Sequence, residues 1–377
     1  MKSLTVLIKP ASSLCNMRCK YCFYHDVADN RKIYSFGLMT EAVMRCLIDE
    51  VFNSVDKAGF INFFFQGGEP TLSGLDYFIS FIEYVNYKRK QKPVNIQYSL
   101  QTNGILIDEA FARFFYKNKF LVGLSLDGMK ELHDLNRKDA SGNGTFSSVK
   151  KAAELLAEKK VEFNILTVIT EQSSHKGYSV YNYFKKNKFN YIQFIPQINP
   201  FKDNESHKSQ ALSVDGYARF LKDTFDLWYR DFSIGNYISI RDFDNFAGIL
   251  MGKKPELCTL QGQCSCNIVI EANGNVYPCD FYVLDEYLLG NINEMTINDM
   301  LNGSSAKKFV SDSQINLIDD CKSCKWLSLC RTGCRRYKEP LHETYGKNFF
   351  CNTYKEFFNY SIDRLITIPE ILREKYK

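Results

Sequence analysis

SSLCNMRCKYCFYHD, residues 12–26, places Cys15, Cys19 and Cys22 within eight positions at the spacing C-x3-C-x2-C. A disulfide uses two thiols and a structural zinc site four ligands. Three clustered thiolates therefore suggest a metal group with one corner left for another molecule. A cubane [4Fe–4S] cluster normally takes four cysteine thiolates; held by three, it keeps one iron open to chelation. Zinc, with His25 as the fourth ligand, is the alternative reading of this loop. Tyr21, Phe23 and Tyr24 are interleaved with the cysteines, which suits a group kept away from water.

The remaining cysteines sharpen the question. The chain of 377 residues holds 13 cysteines. Four lie in the first 46 residues, nine lie after residue 257, and the 211 residues between hold none. No secretory signal and no run of 18 apolar residues is present, so the sequence reads as cytoplasmic, without a membrane span. Disulfides are rare in that compartment, and metal ligation becomes the default for cysteines at C-x2-C spacings. The net charge of +5 comes from interspersed acids and bases with no polybasic tail, which argues against nucleic acid as a partner.

Between the cysteine groups the pattern is that of a scaffold. Apolar, β-rich runs recur at 4–8, 60–65, 94–100, 120–126, 161–169 and 191–195. Near-continuous apolar strands fit a parallel sheet covered on both faces. Helical periodicity fills the gaps near 40–55, 75–90, 108–118, 145–159, 175–187 and 215–230. In the first of these, Val43, Leu47, Val51 and Val55 share a face behind Thr40 as N-cap. The expectation is an α/β fold built as a six-stranded open barrel. Polar segments follow successive strands: the cysteine loop, QGGEP (66–70), QTNG (101–104), SLDG (125–128) and IPQINP (195–200). Such residues mark turns in any protein, but in β/α barrels the C-terminal ends of the strands form the working face.

C-x3-C-x2-C with an aromatic residue before the last cysteine resembles the signature of the radical S-adenosylmethionine (SAM) superfamily. GGEP at 67–70 resembles that family's SAM-binding segment, where glycines allow close backbone approach. The resemblance implies a partial (β/α)6 barrel of TIM type in which SAM chelates the open iron. By position it carries over SAM contacts to Tyr21 (through its backbone), Gly68, Glu69, Gln101, Asn103, Ser125, Arg137 and Ile198. Arg137 would pair with the SAM carboxylate, and Ile198 would pack on the adenine. Without the resemblance, Arg137 reads as a solvated arginine.

The C-terminal cysteines resemble the SPASM extension, with C-x9-G-x4-C from Cys264 to Cys279 and C-x2-C-x5-C-x3-C from Cys321 to Cys334. The implied boundary gives 1–235 to the barrel and 236–377 to SPASM. Two auxiliary [4Fe–4S] clusters are implied, one on Cys258, Cys264, Cys279 and Cys334, the other on Cys321, Cys324, Cys330 and Cys351. Cys46 and Cys266 remain. Cys46 reads as a small core residue. Cys266 competes with Cys264, because a hairpin turning at Asn273-Gly274 as a two-residue type I′ loop sets Cys279 opposite Ile268, with Cys266 its diagonal neighbour. Structural zinc is the alternative for this region too.

CKYCFYHD, VYPCDFYVL (276–284), IKPASS, FQGGEPTL and LNRKD together resemble the anaerobic sulfatase-maturating enzymes. The resemblance implies an oxidoreductase that converts a Cys or Ser within Cys/Ser-x-Ala/Pro-x-Arg of a sulfatase to Cα-formylglycine, a post-translational modification. Hydrogen abstraction at Cβ by a 5′-deoxyadenosyl radical would start the reaction. Asp280 would be the base, Tyr24 would orient SAM or substrate, and an auxiliary cluster would take the electron. The ordinary readings are a capping turn carboxylate for Asp280 and core packing for Tyr24. Expected partners are an unfolded or nascent sulfatase polypeptide and a low-potential donor such as flavodoxin or ferredoxin, met by a monomer. Two alternatives are carried. A SPASM maturase making thioether or carbon–carbon crosslinks in a ribosomal peptide often has an extra N-terminal domain, for which a first cysteine at residue 15 leaves no room. A non-catalytic iron–sulfur electron carrier leaves the glycine loop unexplained.

Three clusters imply about twelve irons per chain, and the Cys15/Cys19/Cys22→Ala variant should keep about eight while losing all SAM cleavage. Iron analysis of the reconstituted proteins checks this; a variant with no iron, or with zinc, refutes the partition.

Overall fold

In the computed structural model, which describes residues 1–201, 211–313, 318–339 and 346–375, all six expected strands form. They are β1 (Ser3–Ile8), β2 (Phe60–Phe65), β3 (Asn95–Thr102), β4 (Phe120–Ser125), β5 (Glu162–Ile169) and β6 (Tyr191–Pro196). The helices between them also match the periodicity, at Glu41–Ser54, Leu75–Gln91, Glu109–Lys117, Phe146–Glu158, Gly177–Lys186 and Val214–Ser233. Thr40 caps the first, its Oγ1 accepting from the Val43 backbone N–H at 3.4 Å. That helix buries Met44, Leu47, Ile48, Val51 and Phe52. The apolar stripe is wider than expected and leaves Val43 at its margin.

The chain divides into two compact units. The first comprises residues 1–125, 134–163 and 265–312. In it β1, β2, β3 and β4 pair in parallel and in order. Between β2, β3, β4 and the helix Leu75–Gln91 lies an aromatic core. Its rings meet edge-on or offset, as aromatic quadrupoles prefer: Phe63 with Phe81 at 5.1 Å, Phe65 with Phe78 at 5.2 Å and Tyr98 with Phe120 at 5.2 Å.

The far segment of this unit adds three strands that the scaffold pattern did not place. β8 (Ile268–Ile270) pairs in parallel with β1, Val6 opposite Ile268 and Ile8 opposite Ile270. β9 (Asn275–Tyr277) and β10 (Gly290–Asn291) follow antiparallel. The hairpin between β8 and β9 departs from the two-residue turn expected. Glu271 pairs with Asn275, and the Gly274 N–H donates to the Glu271 carbonyl at 2.9 Å with Gly274 at φ +88°. This is a three-residue loop, a tight turn closed by a left-handed glycine. Val269 consequently faces Tyr277. That register does not run on to Cys279, because the Asn267 N–H donates to the Pro278 carbonyl at 2.8 Å, so the ladder itself does not choose between Cys264 and Cys266 as the neighbour of Cys279.

A buried ion pair ties the hairpin to the cysteine loop. Arg31 reaches Glu271 at 2.7 Å, both side chains only 2% exposed, and also donates to Ser12 and Ser13.

The second unit comprises residues 126–133, 164–264 and 313–377. It contains β6, β7 (Ser239–Ile240) parallel to β6, and most of β5. The helix Val214–Ser233 packs on Cys351–Leu365 through Phe225 and Phe357, and Thr353 donates to the Val214 carbonyl at 2.7 Å. Among the described residues no helix is long and apolar enough to cross a membrane.

Removing one partner of a buried ion pair strands the other charge, so Arg31→Met should cost about 3–5 kcal/mol of stability. Denaturant unfolding of the reconstituted protein measures it; an unchanged midpoint would mean that the pair does not hold the hairpin.

Candidate active site

The cysteine loop leaves the end of β1 and turns back beneath QGGEP. Gly68 explains the second glycine. Its φ is +52°, and a Cβ there would lie 2.2 Å from the Leu14 carbonyl oxygen. The next residue, Glu69, donates its backbone N–H to that same carbonyl at 2.8 Å. Gly67, at φ +100°, is needed for a different contact, since a Cβ on it would sit 2.7 Å from Lys9 Cγ.

Glu69 is the knot of this region. Its buried carboxylate accepts on Oε1 from the Thr71 N–H and from the Thr71 and Thr102 hydroxyls, at 3.1, 2.7 and 2.7 Å. Oε2 accepts from the Asn103 N–H at 2.7 Å. Burial pushes its pKa up and these donors pull it back. Three donors crowd Oε1, so capacity for a further cation lies on Oε2. The Asn103 side chain reaches Asn16 at 2.7 Å and Cys15 Sγ at 3.8 Å, tying the end of β3 to the cysteine loop.

The three thiols lie in mutual electrostatic reach. Burial, with Glu69 and then Cys19 and Cys22 adding to it, raises Cys15 to about 12, against the lowering N–H of Met17. Burial also raises Cys22, while the Tyr24 and His25 backbone N–H groups and the cations of Arg137 and Lys9 oppose it. Arg137 is buried, with its guanidinium 5.4 Å from the Tyr21 ring centroid, so it is not the solvated arginine of the ordinary reading. His25 Nδ1 is engaged by the Tyr34 hydroxyl at 2.7 Å. Ser125 is buried at the end of β4, and Gln101 is half-buried in β3.

Over the end of β1, on the far side of the hairpin, stands Asp280. Its Oδ2 accepts from the Tyr24 hydroxyl at 2.5 Å and from Gln66 Nε2 at 3.1 Å. Lys9 Nζ lies 2.8 Å from Oδ1 as an ion pair and 3.9 Å from the Tyr24 ring centroid. Burial, then the Asp280 charge, pushes the Tyr24 hydroxyl well up. Asp280 is therefore no simple turn cap, and Tyr24 does more than pack. Lys9 and Gln66 were missed as site residues, although both lie inside the strings IKPASS and FQGGEPTL.

In the second unit the sulfurs fall into two sets. Cys334 senses Cys264 and Cys258, and burial drives it to about 12. Cys330 senses Cys351, Cys321 and Cys324, and burial raises it to about 11. Within this unit the thiols thus group as Cys258, Cys264 and Cys334 and as Cys321, Cys324, Cys330 and Cys351; Cys279 belongs to the first unit. Cys266 rises to about 11 by burial alone, with no thiol among its causes, and its Sγ turns to the Asn267 carbonyl. Cys46 is half-buried on its helix, its thiol directed at the Ile292 carbonyl at 3.3 Å, so it is not a core residue. Ile198 lines a cavity with Asn199, Arg336, Tyr337 and Phe350. Buried Lys338 senses thiols of both sets, Cys321, Cys264, Cys334 and Cys330, and was not singled out by sequence.

Among the described residues no three His, Cys, Asp or Glu side chains converge on one point as ligands of a single ion do. A cubane does not ask for that, since each thiolate meets its own corner iron. Buried, grouped thiols that are poor anions on their own, with N–H groups and cations aimed at them, fit [4Fe–4S] clusters.

Comparison with known proteins places this geometry. Residues 10–176 match the radical SAM superfamily model, and residues 258–325 match an iron–sulfur cluster-binding domain, SPASM. Over 373 residues the chain is 45% identical to a cysteine-type anaerobic sulfatase-maturating enzyme of Clostridium novyi (strain NT), covering 99% of both chains. The chain belongs to the anaerobic sulfatase-maturating enzymes. It is 30% identical to a serine-type member from Bacteroides thetaiotaomicron, covering 95% of this chain and 89% of that one. It superposes with a TM-score of 0.91 and 45% identity on native anSMEcpe with bound AdoMet and Cp18Cys peptide, covering 98% of this chain and 99% of that one. The fold is thus the radical SAM α/β fold with a SPASM extension, and the protein is a radical SAM oxidoreductase that uses SAM and three [4Fe–4S] clusters. Its activity is the formylglycine-generating maturation of sulfatases.

Cys266→Ala should leave iron content and turnover nearly unchanged, whereas Cys264→Ala should lose about four irons. The reverse result, from iron analysis and cluster absorbance, would exchange the two assignments.

Proposed function

We propose that this chain is a cysteine-type maturase that oxidises Cβ of a sulfatase cysteine to formylglycine, with Asp280 as the base for the thiol proton. The preference for cysteine rests on the difference between 45% identity to a cysteine-type relative and 30% to a serine-type one. The observation that carries the base assignment is the carboxylate itself. It is held on Oδ2 by Tyr24 and Gln66 and on Oδ1 by the Lys9 ammonium at 2.8 Å, which fixes its orientation beside the cysteine loop.

Cys15, Cys19 and Cys22 would hold the cluster that binds SAM, and SAM bound there would supply hydrogen abstraction at the substrate Cβ. The rest falls to the protein. Gly68 and Glu69 Oε2 would receive the SAM ammonium, and Arg137 its carboxylate as a planar bidentate donor. Gln101, Asn103 and Ser125 would hold the sugar and methionine, the Tyr21 backbone and Ile198 the base. Asp280 takes the thiol proton, so that the substrate radical could pass one electron to an auxiliary cluster and become a thioaldehyde. Water converts that to the aldehyde and releases hydrogen sulfide. Cys258, Cys264, Cys279 and Cys334 would hold one auxiliary cluster, and Cys321, Cys324, Cys330 and Cys351 the other.

The substrate is taken as an extended Cys-x-Ala/Pro-x-Arg segment of a nascent or unfolded sulfatase in the cytoplasm. A low-potential flavodoxin or ferredoxin would reduce the enzyme, which would act as a monomer.

Asp280→Asn keeps the shape but takes no proton at neutral pH, and loss of a general base typically costs about 10²–10⁴-fold. The variant should go on making 5′-deoxyadenosine while formylglycine falls by that order. Chromatography of the nucleoside and mass spectrometry of the peptide, from one quenched reaction, read both. Normal formylglycine yield would remove Asp280 from the reaction. Cys- and Ser-containing peptides assayed side by side should favour Cys; equal rates would remove the cysteine-type reading.

A further inference from the structure

A carboxylate has two oxygens that rotation about one bond exchanges. A base that must meet a thiol from one direction needs that equivalence broken. Here the two oxygens have different partners. Oδ2 accepts from Tyr24 and Gln66, which fills its two good acceptor directions. Oδ1 is buried and is ion-paired with the ammonium of Lys9 at 2.8 Å.

Lys9 is placed for this by the backbone. It follows β1 directly, and its N–H donates to the Ile270 carbonyl at 2.8 Å, so the β1–β8 pairing fixes its Cα. Its side chain is 3% exposed. It runs flat across Gly67, where a Cβ would meet Nζ at 2.8 Å, and ends over the Tyr24 ring. The first glycine of the GGEP segment thus makes room for a lysine. A buried ammonium on that path is costly without a counter-ion, and Asp280 is the counter-ion it has.

We propose that Lys9 is a positioning residue: by pinning the buried Oδ1 it holds the Asp280 carboxylate in the orientation from which it takes the substrate proton. The thiol S–H bond breaks and an O–H bond forms on the carboxylate, whose orientation Lys9 on Oδ1 and Tyr24 and Gln66 on Oδ2 maintain. The inference rests on Asp280 being the base. Nothing in it requires Lys9 to touch the substrate.

The test is a double-mutant cycle on the reconstituted enzyme, reading iron content, 5′-deoxyadenosine and formylglycine. Lys9→Met keeps the length and removes the charge. It should leave iron and SAM cleavage close to those of the parent and lower formylglycine about 10- to 100-fold, the cost of a misplaced catalytic group. Added to Asp280→Asn, it should lower formylglycine no further. If Lys9→Met stays coupled, the lysine only packs, and the proposal is wrong. Losses that multiply in the double variant, or SAM cleavage that falls in step with formylglycine, overturn it as well. Should Lys9→Met fail to hold iron, Lys9→Gln takes its place with the same expectation; iron loss in both assigns Lys9 to cluster support and ends the proposal. If Asp280→Asn alone is fully coupled, the base assignment fails first. If Asp280→Asn uncouples and Lys9→Met does not, only the present inference fails.

Discussion

Three residue pairs between β1 and β8, Val6 with Ile268, Leu7 with Val269 and Ile8 with Ile270, hold together what the active site needs. β1 delivers Lys9 and then the cysteine loop from its C-terminal end. β8 delivers the hairpin that ends at Asp280. Their parallel pairing sets both ends side by side, and the Tyr24–Asp280 hydrogen bond closes over 256 positions of sequence. The Arg31–Glu271 pair locks the same junction from its buried side. Misplacing the hairpin by one residue would turn every side chain on it to the opposite face, so the left-handed Gly274 that sets its loop length matters to the site although it stands apart from the chemistry.

Much of this was legible in the sequence, because local patterns carry it. β2 coincides with its apolar run, and the other strands differ from theirs by a residue or two. Thr40 caps its helix as its side chain predicts. The cysteine loop and the glycine loop announced themselves by spacing, and their placement after β1 and β2 followed from alternation. What stayed hidden depends on partners distant in sequence. A three-residue strand such as β8 carries no periodicity that names β1 as its neighbour. The hairpin loop was misjudged by one residue because Asn-Gly serves either a two-residue turn or the end of a three-residue one. Lys9 carried no signal of its own, because its burial comes from Gly67 and Tyr24, which are distant in sequence. Glu69 was assigned to a ligand, yet its four donors show that it also braces the loop. Cys46 showed the converse: an apolar helix suggested core, but it lies half-buried outside the stripe of Met44, Leu47, Ile48, Val51 and Phe52.

The sulfurs share one electrostatic circumstance. Burial makes the thiolate the unfavoured form at Cys15, Cys22, Cys330 and Cys334. A bound cluster supplies the positive charge that reverses this. Fixed cations are built in beside the sulfurs, Arg137 and Lys9 near the first set and Lys338 near the other two. They lower the cost of gathering anionic clusters inside a single chain.

The first compact unit is discontinuous, drawn from residues 1–125, 134–163 and 265–312. A ribosome delivers these pieces at different times. The cysteine loop, the glycine loop and Arg137 emerge early, while the strand that completes their sheet edge is still unmade. For that interval β1 has an open side, the kind of edge on which chains mispair. The cysteine and glycine loops are thus translated long before Asp280, the carboxylate proposed as base, and the late arrival of β8 both seals the edge and brings Asp280 beside Tyr24.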